Sequence, residues 1–263
     1  MNIEPSAGRT AFGLDPQGYD QARPPYPDWV FDRIDAYRSI LNAKIFEIGA
    51  GTGLATHQFM ARGAAALTAI EPDPNLARML RDRPSPGLHV VEQAFESSSL
   101  TEGAFDLGIA ATSFHWLDQA EALTKVAGLL RPGGVFAAFA NVFGDPLRTD
   151  GFHEATQDLL GGLPTSPSAG LRGLPYALDA EARLGDLHAN GAFTDITTER
   201  QDWTLMINAV QVRALYATYS NITLRPAAER ESLLDALELI ARDQFDGHVE
   251  RNMVTTLYLA RRI

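Results

Sequence analysis

Apolar runs of strand length recur along the first half of the chain, at 44–48, 67–71, 88–92, 105–111 and 134–140, with amphipathic stretches between them. The runs are short and bounded by polar residues or glycine, as strands buried on both faces are. The stretches between them carry helix-start signals. Pro24, Pro25 and Pro27 make a stiff turn, and Asp28 suits the N-cap of a helix over 28–39. Asp73-Pro74 sets a capping acid before a proline at the first helical position. Asp118, with Glu121 three residues on, forms a capping-box-like pair. Leu123, Val126, Ala127 and Leu130 then share one helix face, and Pro132-Gly133-Gly134 stops the helix before the next strand. Strands alternating with helices predict an α/β fold with a parallel sheet covered on both faces.

The pattern changes after Asn141. Residues 144–176 are rich in Gly and Pro with weak period, which reads as a cap or loop insertion. A helix over 184–189 leads into a strand at 193–197. A strong helix over 226–242 sets Leu233, Leu237 and Ile240 on one face, and 254–260 is a last strand rich in β-branched and aromatic residues. At the other end, Gly8, Gly13 and Pro16 interrupt residues 1–17, which are expected to be loose. The expected organisation is a single domain over 1–263. Its core covers about 28–142 plus the strands near 193–197 and 254–260, with cap segments at about 1–27, 143–190 and 203–250.

An apolar fraction of 45% is enough for a full core. The net charge of -11, with no Lys/Arg cluster to line a groove, disfavours a nucleic-acid partner, because phosphate backbones are gripped by cations. With no cysteine, disulfides, thiolate catalysis and Cys-ligated zinc are excluded. His57 and His153 do not stand at a metal-ligand spacing, so no metal is expected. The polar N-terminus has no apolar signal core, and no run approaches the roughly 18 apolar residues of a membrane span. A cytoplasmic protein without membrane association is the expectation.

The most informative stretch is Ile45-Phe46-Glu47-Ile48-Gly49-Ala50-Gly51-Thr52-Gly53, a strand that turns through three alternating glycines into a helix. Glycine permits positive φ and lets a ligand approach bare backbone, and in open α/β sheets ligands lie at the carboxyl ends of strands. The spacing G-x-G-x-G differs from the G-x-G-x-x-G of dinucleotide sites. Glu71 closes the second apolar run, where a carboxylate suits the two hydroxyls of a ribose.

Together with Ala69-Ile70-Glu71-Pro72-Asp73 and Leu129-Leu130-Arg131-Pro132-Gly133-Gly134, this stretch resembles the class I S-adenosylmethionine-dependent methyltransferases. Tyr19-Asp20-Gln21-Ala22-Arg23-Pro24-Pro25-Tyr26-Pro27 and Phe114-His115-Trp116 narrow the resemblance to the type 11 small-molecule branch, which includes trans-aconitate-methyltransferase-like members. The resemblance implies a Rossmann-like, seven-stranded, mostly parallel sheet whose last strand is antiparallel. It also implies S-adenosyl-L-methionine as cofactor, S-adenosyl-L-homocysteine as product, and a small-molecule acceptor.

Residue by residue, the resemblance places Gly49, Ala50 and Gly51, with Gly53 closing the loop, under the methionine part and ribose. Glu71 takes the ribose hydroxyls, Pro72 and Asp73 lie beside the adenine, and Ala94-Phe95-Glu96 flank it. Gln93 and Phe95 depart from the residues usual in the family. Ala110, Ala111 and Thr112 face the methionine part, and Tyr19 or Arg23 lies near its carboxylate. Bland readings stand beside these. Glu47 either contacts the cofactor or supports the glycine loop, and Phe95 is adenine wall or plain core. Tyr19 and Arg23 belong to the cofactor mouth or to a surface turn. His115 is the candidate catalytic residue, positioning the acceptor or taking its proton; otherwise it is a histidine of the pocket wall. Arg172, Tyr176, Trp203, Tyr216, Tyr219 and Arg225 are candidates for an acceptor pocket. A non-catalytic S-adenosylmethionine binder and a nicotinamide-dependent oxidoreductase are the rival readings. The acceptor atom, oligomeric state and pathway stay open.

Overall fold

The computed structural model describes residues 3–170 and 173–263. Two short helices, α1 (Pro5–Ala11) and α2 (Pro16–Ala22), precede α3 (Asp28–Tyr37). Then β1 (Lys44–Ile48), α4 (Thr56–Ala61), β2 (Ala66–Ile70), α5 (Pro74–Asp82), β3 (Leu88–Val91), β4 (Phe105–Ala111), α6 (Gln119–Leu129) and β5 (Leu130–Phe143) alternate. After α7 (Gly151–Leu160) and α8 (Ala180–Asn190) come β6 (Phe193–Asn208), α9 (Ala209–Ala217), α10 (Ser220–Thr223), α11 (Ala227–Gln244) and β7 (His248–Arg262). The seven strands form one sheet in the order β3-β2-β1-β4-β5-β7-β6. β1 to β5 pair in parallel, and β7 runs antiparallel to both β5 and β6.

Side chains alternate across each strand. From β1, Ile45 joins Phe31, Phe59 and Phe139 under α3 and α4. Phe46 and Ile48 point the other way, toward Leu123, Val126 and Leu187 of α6 and α8. A third cluster joins Phe152, Val212, Leu215, Leu234 and Leu237 of α7, α9 and α11 to Val249 at the start of β7. There Arg251 and Asp150, 4% and 7% exposed, form an ion pair at 3.0 Å that also caps α7. Among the described residues, no helix is long and apolar enough to cross a membrane.

Several local expectations are corrected. Pro27, not Asp28, is the N-cap of α3, and Asp28 is its first residue, paired to Arg62 at 2.6 Å. Leu130 is the first residue of β5, bridged to Phe105 beside a register shift, so the Pro132-Gly133-Gly134 stretch lies within the strand. β6 and β7 run well beyond 193–197 and 254–260. The expectation of a loose 1–17 fails most clearly, since the described part is largely helical. Its glycines are points of close approach: a Cβ on Gly8 would lie 2.3 Å from the Trp116 ring, and one on Gly13 would lie 2.1 Å from the Asp73 carboxylate.

Candidate functional site

Between β1 and β4 the strand order reverses, which opens a crevice at the carboxyl ends of those strands. The corner after β1 forms its floor. Gly49 and Ala50 donate backbone N–H bonds to the Ile70 carbonyl at 2.9 and 3.2 Å, which ties the corner to the end of β2. Gly49 has φ +64°, and a Cβ there would stand 2.7 Å from Cβ of Ser113. Both the backbone conformation and the approach of the loop after β4 therefore demand glycine. Gly51 has φ +60° and nothing within 4 Å of where a Cβ would be, so bare backbone faces open space.

Glu71, 4% exposed, accepts from the Gly51 N–H at 2.7 Å and the Asp73 N–H at 2.9 Å. Burial outweighs those bonds and pushes its carboxyl up to about 7. Asp73 caps α5 through the Asn75 and Leu76 amides. Glu47 points to the α4 face, where it accepts from Thr56 Oγ1 at 2.5 Å, and burial raises it to about 8.

Gly49, Gly51 and Glu71 border a cavity of about 340 Å³. Of the residues singled out in the sequence, Tyr19, Arg23, Gly49, Gly51, Glu71, Pro72, Phe95, Ala111 and His115 line it. Glu47, Ala50, Gly53 and Ala94 are outside the lining, Glu47 and Ala50 buried behind the floor. Among the acceptor-pocket candidates, Tyr176 and Tyr219 line the cavity. Tyr216 instead receives a bond from Arg251, Trp203 donates to Thr255 at 2.8 Å, and Arg225 pairs with Glu229 at 2.8 Å. Arg172 falls outside the described residues.

The end of the cavity nearest β4 and β5 is built from side chains. Thr112 sits at the tip of β4 with φ +54°, a conformation a β-branched residue adopts at a cost. It is held there by Tyr26 Oη at 2.8 Å and by its own N–H bond to the Phe139 carbonyl, also 2.8 Å. The His115 ring lies 5.1 Å from that of Trp116 and 5.9 Å from that of Tyr176. Burial, then the nearby Arg23 cation, push the His115 imidazole down to about 3, so it is neutral. Arg23 donates to Thr218 Oγ1 at 2.9 Å and to the Thr218 carbonyl at 3.1 Å. Its guanidinium stands 4.8 to 5.2 Å from the Phe143, Tyr19 and Tyr219 rings. Tyr219 Oη is buried and has no hydrogen-bond partner among the described residues.

The N-terminal helices close the chamber from above. Arg9 and Phe12 line it, Gly8 packs on Trp116, and the Gly13 carbonyl accepts from Asn75 Nδ2 at 3.0 Å. Sequence reasoning missed Arg9, Phe12, Asn141, Phe143 and Ser220, which line the cavity, since nothing local in the chain marks them. Among the described residues, no group of three or more His, Asp or Glu is arranged to hold a metal ion.

The chain is also similar to known proteins. Residues 46–138 match the family described as a methyltransferase domain, type 11. An uncharacterized methyltransferase of Mycobacterium tuberculosis is 32% identical over 47% of this chain and 49% of its own length. The chain thus spans about half the length of that curated relative. An uncharacterized methyltransferase of Schizosaccharomyces pombe is 24% identical over 97% of this chain and 98% of its own. Among solved structures, phosphoethanolamine N-methyltransferase 2 of Haemonchus contortus, in complex with phosphomonomethylethanolamine and S-adenosylhomocysteine, superposes with a TM-score of 0.59. It has 11% identity and covers 97% of this chain and 60% of that one, a likeness of fold. Residues 46–138 are thus similar to a methyltransferase domain, and the seven-stranded sheet with its glycine corner shares the fold of a solved methyltransferase.

Proposed function

We propose that the chain transfers the methyl group of S-adenosylmethionine to a small organic anion, by in-line displacement at the sulfonium. The observation that carries this reading is a single chamber reaching from the glycine corner and Glu71 to His115, Tyr176, Tyr219 and Arg23. Its first end fits the cofactor: the open space over Gly51 lies beside a buried carboxylate.

Bound there, S-adenosylmethionine supplies the electrophilic carbon. The chain's own work is to hold, orient and exclude water. Glu71, with two backbone donors already on its carboxylate, keeps lone pairs for two ribose hydroxyls. Gly49 and Gly51 lie under the ligand, Pro72 and Phe95 border its base, and Ala111 leaves room for the methionine part. Ala50, Gly53 and Ala94 act by shaping the corner and the turn after β3, and Glu47 acts through Thr56. Tyr19 packs against Arg23 toward the acceptor end.

The charge of the lining favours an anionic acceptor. Its carboxylates, Glu71 and Glu96, belong to the loops after β2 and β3. Arg23 stands at the other end, and among the described residues no carboxylate pairs with it. An acceptor that attacks through a negatively charged oxygen has no proton to lose, so no general base is required. That suits His115, whose conjugate acid is too acidic for it to draw a proton effectively. Its role in this reading is to orient the acceptor as a neutral ring.

Calorimetry with S-adenosylhomocysteine, followed by a methyl-donor assay across small organic acids, alcohols and amines, tests this reading. Turnover on acids supports it. Binding with no turnover on any acceptor class favours a non-catalytic binder, and binding of nicotinamide dinucleotide alone favours an oxidoreductase.

A further inference from the structure

Phe95 and Glu96 line the cavity from a single 3₁₀ turn, Phe95–Ser97, that follows β3. That turn is gripped from two sides. From below, Lys125 Nζ donates to the carbonyls of Phe95 at 2.6 Å, Glu96 at 3.2 Å and Ser98 at 2.5 Å. An ammonium has three donors, and all three go to this one turn. The same ammonium lies 5.0 Å from the Phe95 ring centroid, and burial lowers its pKa. From above, Arg9 of α1 pairs with the Glu96 carboxylate at 2.7 Å and donates to the Trp116 carbonyl.

Both cations join the same two loops. α6, which carries Lys125, is capped by Asp118 directly after the Phe114–Trp116 turn. It is therefore a stiff bar from the His115 loop to the Phe95 turn. Arg9 spans those two loops on the opposite side. The parallel stack of Phe95 on Phe46 of β1, centroids 6.2 Å apart and planes at 9°, registers the turn to the sheet.

We infer that Lys125 and Arg9 are positioning residues for cofactor recognition: they clamp the Phe95–Ser97 turn against the loop after β4 and so fix the wall that meets the purine. This rests on the proposed function, which puts the base beside Phe95. Packing of α6 does not depend on Lys125, because Ala122, Leu123, Val126 and Ala127 bury its core face. Loss of the ammonium takes one donor from each of the Phe95, Glu96 and Ser98 carbonyls and lets the turn move.

The test is calorimetry of wild type, Lys125→Met, Lys125→Arg and Arg9→Gln with S-adenosylhomocysteine and with its purine-altered analogue S-inosylhomocysteine. Lys125→Met is expected to bind S-adenosylhomocysteine about tenfold more weakly and to discriminate less between the two ligands. Lys125→Arg should restore most of both, and Arg9→Gln should shift both in the same direction by a smaller factor. A merely structural lysine would lower the melting temperature and leave the discrimination ratio alone, which overturns the inference. So does wild-type binding that Lys125→Met and Arg9→Gln leave unchanged. A wild-type protein that ignores S-adenosylhomocysteine overturns the proposed function and this inference with it.

Discussion

At the glycine-corner end of the cavity the walls combine bare glycine backbone with two carboxylates, Glu71 and Glu96, and a few apolar side chains, and three consecutive β–α corners supply them within residues 48–96. At the Arg23 end the walls are side chains drawn from α2, the loop after β4, the end of β5, the segment before α8 and the residues around α10. The first end is fixed by parallel strand pairing and by turns that only glycine can make. The second depends on a helical layer held to the sheet by the third cluster and the Arg251–Asp150 pair. A binding end built on backbone corners suits one fixed ligand, whereas an end made of side chains is free to be recut for different acceptors.

Arg251→Met is the strongest way to break that contrast. It leaves the Asp150 carboxylate buried and unpaired and strips the donor from Tyr216, so chemical denaturation should report a loss of about 3–5 kcal/mol. At a temperature where the variant stays folded, its affinity for S-adenosylhomocysteine should change less than about twofold. A large drop in that affinity would mean that the two ends are one cooperative unit.

His115→Ala bears on the other side of the comparison. It should lower turnover by about tenfold or more with cofactor affinity preserved, as orientation lost at the acceptor end alone. Because the imidazole is pushed down to about 3, the wild-type rate should show no limb near pH 6.5. Such a limb, abolished in His115→Ala, would give His115 a proton-transfer role.

The smallest effect, and the sharpest, is in pH. Burial raises Glu71 from 4.5 to about 7 in the free protein, so its contribution to stability is full below 4.5 and is lost as pH rises through 7. Ligand binding runs the other way. Ribose donors favour the carboxylate, so affinity should climb between pH 5.5 and 7.5, by at most about tenfold per unit, with a proton released on binding. Glu47, raised to about 8 behind the floor, adds to the loss of stability over an overlapping window. Glu71→Gln should flatten the affinity profile while the Glu47 part of the stability slope remains.

The glycine corner was legible because its signals are local: a strand, an acid and alternating glycines lie together in the chain, and their spacing survives folding unchanged. The alternation of β1 to β5 with helices was legible for the same reason. What escaped is long-range. Gly8 and Gly13 read as helix breakers until their neighbours are known to be Trp116 and Asp73. β6 runs along the sheet edge with most of its residues exposed, and the polar stretch 198–202 separates 193–197 from the apolar alternation of Trp203, Leu205 and Ile207 at its far end. The aromatic residues of the second half look alike in sequence. Tyr219 faces the cavity while Tyr216 faces Arg251 only because of how α9 and α10 are set on the sheet.

The most direct measurement is a calorimetric titration of S-adenosylhomocysteine into the wild-type protein and Glu71→Ala at pH 8. Loss of charge-assisted bonds worth about 1.5–3 kcal/mol each predicts saturable one-to-one binding to the wild type and an affinity lower by about a hundredfold or more in the variant. No binding to the wild type at millimolar ligand, or equal affinity in the two proteins, would contradict the assignment of the β1 corner and Glu71 to the cofactor.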